Sequence, residues 1–103
     1  MPSLGEKLRL LREQNSLLLR EVAAQLQIDP SMLSKIEREE KRPTKQHVQQ
    51  LSKIYNVQEK DLMVLFLSEK VLYEIKNEEY GLDALKAAEA VIRLKTKSRT
   101  KDK

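Results

Sequence analysis

Two short apolar patterns, joined by a helix-start signal, constrain the fold more than any other part of this chain. The segments 22–26 and 33–36 each place apolar residues at the spacing of one helix face. Between them stand Asp29 and Pro30, a side-chain acceptor followed by a residue whose φ is already helical, which is typical of a helix N-terminus. The sequence therefore predicts two short helices joined by a tight turn. The outward side of the second is small and polar, which suits a helix that lies close against the major groove of DNA.

The composition favours an all-helical protein. The chain has 103 residues with only two glycines, three prolines and four aromatic residues, and such a length supports one small core. It has no cysteine, which excludes disulfides and thiolate metal sites. The longest apolar run, residues 62–67, is too short to cross a bilayer, and the N-terminus lacks an apolar signal core. We therefore expect a soluble cytoplasmic protein.

The net charge of +4 is concentrated at the C-terminus. Residues 93–103 hold six basic residues against one acidic residue, a surplus of five, so the rest of the chain carries about −1. Charge over the whole chain is therefore weak support for nucleic-acid binding, and a local basic face is needed.

Three more helices are predicted around the central pair. An S-x-x-E capping box begins at Ser3, so a first helix should run from Ser3 to about Gln14. Thr44 is the expected N-cap of a fourth helix that ends at Asn56, a residue that tolerates the left-handed conformation. A fifth helix should begin near Gln58. Core positions are expected at Leu4, Leu8, Leu11, Leu17, Val48, Leu51, Ile54, Tyr55, Leu62, Leu65 and Phe66.

These features together resemble the helix-turn-helix of the phage-repressor class, often called Xre-like. The resemblance covers residues 4–66. It is carried by Ala23 where the two helices cross, Ile28 in the turn, Leu33 and Ile36 as inward anchors, and the run 34–38. It implies an all-α fold with a five-helix lambda-repressor-like DNA-binding domain. The apolar stripes that follow this domain in the sequence predict a C-terminal helical hairpin.

The resemblance also implies one structural ion pair and reveals two departures from the family pattern. An arginine late in the first helix pairs in this family with a glutamate late in the recognition helix, which here are Arg12 and Glu37. Alternatively, Arg12 is simply solvated. Leu18 and Leu19 stand where the family usually has a capping hydroxyl and a phosphate-contacting glutamine. Gln27 stands where glycine is common in the turn.

The second helix of the pair is the expected reader of base edges. The positions implied by the resemblance are Pro30, Ser31, Ser34 and Lys35, with Met32 as a further apolar contact to a thymine methyl group. Lys35 is the best candidate because its ammonium group can reach guanine O6 and N7. The alternative for each is an ordinary solvent-facing helix residue.

Basic residues around this helix are the expected phosphate contacts. The loop that follows it resembles the phosphate-gripping loop of the family, with Glu39 and Glu40 opposing the role. A plain solvated charge run is the alternative. The candidate phosphate contacts are Arg20, Arg38, Lys41, Arg42 and Lys45.

The C-terminal third lies beyond the resemblance. We expect the DNA-binding domain to cover residues 1–66, a helical extension to cover residues 67–95, and a basic disordered tail to cover residues 96–103. The extension either covers the domain's own apolar side or forms a homodimer, and palindromic operators favour the dimer. The candidate dimerisation residues are Val71, Leu72, Ile75, Leu85, Ala88 and Ile92.

The function predicted from the sequence is a sequence-specific regulator of transcription that binds double-stranded DNA as a dimer at a pseudo-palindromic operator. The alternative is a protein-interaction adaptor, antitoxin-like or other, that uses the repressor-like fold without reading DNA. Enzymatic activity is not expected, because the single histidine, His47, has no partner motif and there is no glycine-rich phosphate loop. No cofactor or metal is predicted, and the sequence identifies no small-molecule effector.

Overall fold

The computed structural model describes residues 2–101, with side chains up to residue 97, and consists of six helices. No strand occurs in this part of the chain. The all-α class predicted from the composition is confirmed. The helices are α1 (Leu4–Gln14), α2 (Leu19–Leu26), α3 (Pro30–Glu37), α4 (Lys45–Ile54), α5 (Glu59–Ile75) and α6 (Gly81–Lys101).

Side-chain caps fix the starts of three helices as the sequence indicates. The Ser3 hydroxyl accepts a hydrogen bond from the Glu6 N–H at 3.2 Å. The Asp29 carboxylate accepts one from the Ser31 N–H at 3.4 Å, with Pro30 in the first helical position. The Thr44 hydroxyl accepts one from the His47 N–H at 3.1 Å. Each cap provides a partner for a backbone donor that has none within the helix.

The chain divides into two compact units, the first ending at Lys70 and the second beginning at Val71. The core of the first unit draws on all of its helices. Twelve of its buried apolar side chains are leucine, valine, isoleucine, tyrosine or phenylalanine, and the small residue Ala23 is buried as well. The buried apolar residues are Leu4, Leu8, Leu11, Val22, Ala23, Leu26, Leu33, Ile36, Val48, Leu51, Tyr55, Leu62 and Phe66.

Helix α5 continues through the boundary at residues 66 and 67 that the sequence suggests. No glycine or proline interrupts residues 67–75, so nothing ends the helix there. The first arm of the expected hairpin is thus the C-terminal part of α5. The hydrogen bonds of Glu69, described below, hold this helix to the first unit beyond Phe66, and the two units divide four residues further on.

The second unit consists of the end of α5, a turn and α6. Gly81 begins α6 where the chain approaches the end of α5 closely: a Cβ added there would lie 2.5 Å from the Ile75 carbonyl oxygen. Of the candidate dimerisation residues Ile75 is half-buried, and Val71, Leu72, Leu85, Ala88 and Ile92 are exposed.

Helix α6 continues to Lys101 and so enters residues 96–103, for which the sequence predicts a basic disordered tail. The Thr96 hydroxyl donates to the Ile92 carbonyl at 2.9 Å. Asp102 and Lys103 lie outside the described residues. None of the described helices is sufficiently long and apolar to cross a membrane.

Candidate nucleic-acid interface

A tight left-handed turn joins α2 to α3. Gln27 has a φ of 60° and takes the conformation that ends α2. The N–H groups of Gln27 and Ile28 donate to the carbonyl oxygens of Ala24 and Ala23, at 3.1 and 3.0 Å. Two of the last carbonyl groups of α2 therefore have partners, and the turn closes without glycine.

Leu18 caps α2 through its backbone alone. Its side chain is about half exposed and cannot accept a hydrogen bond. The Glu21 carboxylate nevertheless accepts from the Leu18 N–H at 2.7 Å. Leu17 and Leu19 pack partly against the core on either side. Half of a capping box thus survives the loss of the hydroxyl.

An ion pair fixes the end of α3 beneath its outward side. The Arg12 guanidinium donates from Nε and Nη2 to the two Glu37 carboxylate oxygens, at 2.8 and 3.0 Å. Its Nη1 donates to the Leu17 carbonyl at 3.1 Å. The two side chains are only 13% and 4% exposed. The hydrogen bond with Glu37 raises the pKa of Arg12 above its ordinary value, so the guanidinium is charged throughout the usual pH range.

Glycine at position 5 allows α1 to approach the end of α3. A Cβ added to Gly5 would lie 2.7 Å from the carbonyl oxygens of Ile36 and Glu37, a separation that requires backbone movement. This contact was not predicted from the sequence. A glycine inside a strong helix pattern is costly, and that cost was the available signal for a packing role.

The outward side of α3 carries the five predicted base-reading residues. Pro30, Ser31 and Lys35 are exposed, whereas Met32 and Ser34 are half-buried. Met32 also packs partly against the core, so it has less freedom to reach another molecule. The structure thus leaves three of the five fully available.

The loop after α3 is held in a strained conformation by hydrogen bonds to the helix end. Glu39 has a φ of 64°, where a residue with a Cβ is disfavoured. The Glu40 N–H donates to the Lys35 carbonyl at 2.8 Å. Arg38 forms an exposed ion pair with Glu40 at 2.8 Å, so this predicted phosphate contact already has an acidic partner.

Arg42 is also engaged within the chain. Its Nη2 donates to the Glu69 carbonyl at 3.1 Å. The Glu69 side chain in turn accepts from the Leu4 N–H at 2.6 Å, at the start of α1. Glu69 therefore connects α5 to both the loop and α1. Sequence reasoning missed this residue because its partners are 27 and 65 residues away.

The other three predicted phosphate contacts, Arg20, Lys41 and Lys45, are exposed. Lys45 is the first residue of α4, whose N-terminal backbone donors favour anions. His47 belongs to the cap of that helix, where its Nδ1 accepts from the Thr44 N–H at 3.4 Å. The described residues contain no group of three side chains able to hold a metal ion.

Comparison with known proteins bears on this two-helix arrangement. No curated protein and no solved structure matches the chain. The sequence model of the Helix-turn-helix family matches residues 8–62, which include the whole of α2, α3 and α4. Because this match covers more than half of the chain, the protein belongs to the helix-turn-helix family of DNA-binding regulators.

Proposed function

We propose that this protein is a sequence-specific transcriptional regulator that binds a pseudo-palindromic operator as a dimer, with α3 of each subunit in a major groove. The observation that carries the proposal is the two-sided character of α3. Leu33 and Ile36 are buried on one side and Glu37 is held by Arg12, while Ser31 and Lys35 face outward. Because its buried side is fixed against the core, α3 can present the hydrogen-bonding groups of its exposed side at defined positions.

Each outward side chain has a distinct capacity for recognition. Lys35 donates hydrogen bonds and suits the two acceptors of guanine. Ser31 and Ser34 can donate or accept, so they discriminate less between bases. Pro30 has no N–H and can contribute only an apolar contact, as can Met32.

Phosphate contacts would come from both sides of α3. Lys41, Lys45 and Arg20 are exposed, so they can reach phosphate groups. Arg38 and Arg42 must exchange an ion pair or a carbonyl hydrogen bond for a phosphate. We therefore assign the larger part of the phosphate binding to Arg20, Lys41 and Lys45.

A dimer provides the second reading helix that a pseudo-palindromic site needs. The exposed apolar side chains of the second unit support it, since Val71, Leu72 and Ile92 leave a sizeable apolar surface on a single copy. Leu85, Ala88 and Ile75 complete the candidate set.

Selection of bound fragments from genomic DNA, followed by affinity measurements on the recovered site, tests this function. We expect the logarithm of the affinity to fall with the logarithm of salt concentration, by about 0.9 per phosphate neutralised. Lys35→Ala should reduce discrimination between bases at one position of each half-site, by about 1–3 kcal/mol. Lys53→Ala, which removes an exposed lysine from the last turn of α4, is the matched control.

Two results would contradict the proposal. One is recovery of no enriched sequence. The other is equal salt dependence and equal base preference for the Lys35→Ala, Lys41→Ala and Lys53→Ala proteins. Either would favour the adaptor alternative, in which the exposed Leu18 contacts a protein partner.

A further inference from the structure

Helix α6 exposes most of its apolar side chains. Among its described residues only Gly81 is buried. Leu82, Ile92 and Leu94 are each more than 60% exposed. Water-exposed apolar side chains at this density on a 21-residue helix indicate a surface that another element covers.

The order of residues along α6 is nearly symmetric about Ala88. Apolar positions on the Ala88 side of the helix recur at equal distances on either side of it: Leu85 with Val91, and Ala84 with Ile92. A helix that meets a second copy of itself in antiparallel orientation, across a twofold axis at Ala88, would therefore place apolar residues opposite apolar residues. The small side chain at the centre would let the two backbones come close.

The charged residues of α6 also favour antiparallel pairing, because acidic and basic side chains lie towards opposite ends of the helix. Acidic residues lie before and at the start of α6, at Glu78, Glu79 and Asp83, and basic residues lie towards its end, at Lys95 and Lys97. Antiparallel pairing brings the acidic start of one helix to the basic end of the other. Parallel pairing would instead align Lys95 and Lys97 with their own copies and repel.

We propose that α6 pairs in antiparallel orientation with α6 of a second copy of this chain, with the twofold axis at Ala88. This inference rests on the dimer in the proposed function and narrows its interface to one helix. It assigns Leu85, Ala88 and Ile92 to the centre of the contact. The symmetry is isologous, so the pair is closed and does not extend into a fibre.

Single-cysteine cross-linking tests the orientation directly, because the chain has no cysteine of its own. In the full-length protein, Ala88→Cys should form a disulfide-linked dimer as the main species on mild oxidation. Ala84→Cys should remain monomeric in a denaturing gel. In the antiparallel pair, position 84 of one copy lies opposite position 92 of the other, so the two introduced cysteines are about 12 Å apart along the helix. Two cysteines whose Cα atoms are more than about 7 Å apart cannot be bridged. Ala90→Cys, on the charged side of α6, is the matched control for random collision.

Three outcomes would overturn the pairing. Cross-linking at both positions 84 and 88 would indicate parallel helices. Cross-linking at neither, or equally at 84, 88 and 90, would indicate no α6 contact. Binding of each variant to genomic DNA is measured in parallel: DNA binding without a cross-link at 88 rejects the pairing alone, whereas a cross-link without DNA binding rejects the proposed function alone.

Discussion

The ion pair between Arg12 and Glu37 secures the position of the reading helix. Both side chains are largely buried and each oxygen of the carboxylate has an arginine donor. Removing one partner leaves the other charge buried without compensation. Glu37→Ala should therefore lower the free energy of unfolding by about 3 kcal/mol, measured by urea denaturation.

The matched control is Glu13→Ala, which removes the acidic partner of Arg9 from an exposed pair. That change should alter stability by no more than about 0.5 kcal/mol. Equal losses for the two variants would contradict a structural role for the buried pair.

Tyr55 offers a second prediction, since its buried hydroxyl has no hydrogen-bond partner in the part of the chain that the structure describes. An unpaired buried hydroxyl opposes folding. Tyr55→Phe should therefore raise the free energy of unfolding by about 1 kcal/mol. A loss of stability of that size would contradict the absence of a partner.

The pH dependence of Tyr55 follows from the same environment. Burial raises the pKa of Tyr55 above its ordinary value, and the negative charge of Glu37 raises it further. Above about pH 10 the unfolded chain loses this proton while the folded chain keeps it. Stability should therefore decline more steeply above that pH in the natural protein than in Tyr55→Phe, as thermal melts at several pH values would measure.

At the scale of the helices, local sequence signals located the helix starts well and long-range contacts poorly. Ser3, Asp29 and Thr44 act within three residues of their own positions, so their roles can be read from the sequence. Glu69 acts across most of the first unit, and nothing near it in the sequence indicates that. The candidate site shows the same division. The exposure of Ser31 and Lys35 on the outward side of α3 was predictable from helix periodicity, whereas the contact of Arg42 with α5 was not.

The loop after α3 carries a prediction that links stability to DNA affinity. Glu39 is held at a positive φ that glycine adopts freely. Glu39→Gly should raise the free energy of unfolding by about 0.5–1 kcal/mol. It should also raise affinity for all DNA sequences alike, most strongly at low salt, because it removes a negative charge beside the reading helix.

Ser16→Gly separates the two effects. Ser16 also has a positive φ, of 55°, but carries no charge, so this variant should gain stability with unchanged DNA affinity. Gel-shift titrations at two salt concentrations, beside denaturation curves, measure both quantities. An affinity gain in Ser16→Gly as large as that in Glu39→Gly would contradict the electrostatic explanation.

At the scale of the whole molecule, the proposed dimer makes DNA affinity depend on the second unit. The first unit has its own core, so a polar substitution on α6 should leave it folded. Ile92→Asp places a charge in the proposed apolar contact and should yield a monomer by analytical ultracentrifugation. Lys86→Asp makes a comparable change in an exposed residue outside the apolar side of α6 and should remain a dimer.

The consequence for DNA follows from effective concentration. In a dimer, binding of one half-site brings the second reading helix close to the other, so the affinity for the complete operator exceeds that for one half. Ile92→Asp should therefore lose about 10²-fold or more in affinity for the complete operator, yet bind an isolated half-site as the natural protein does. If Ile92→Asp stayed dimeric, or lost affinity equally for half and complete sites, the second unit would not supply the twofold symmetry that the operator requires.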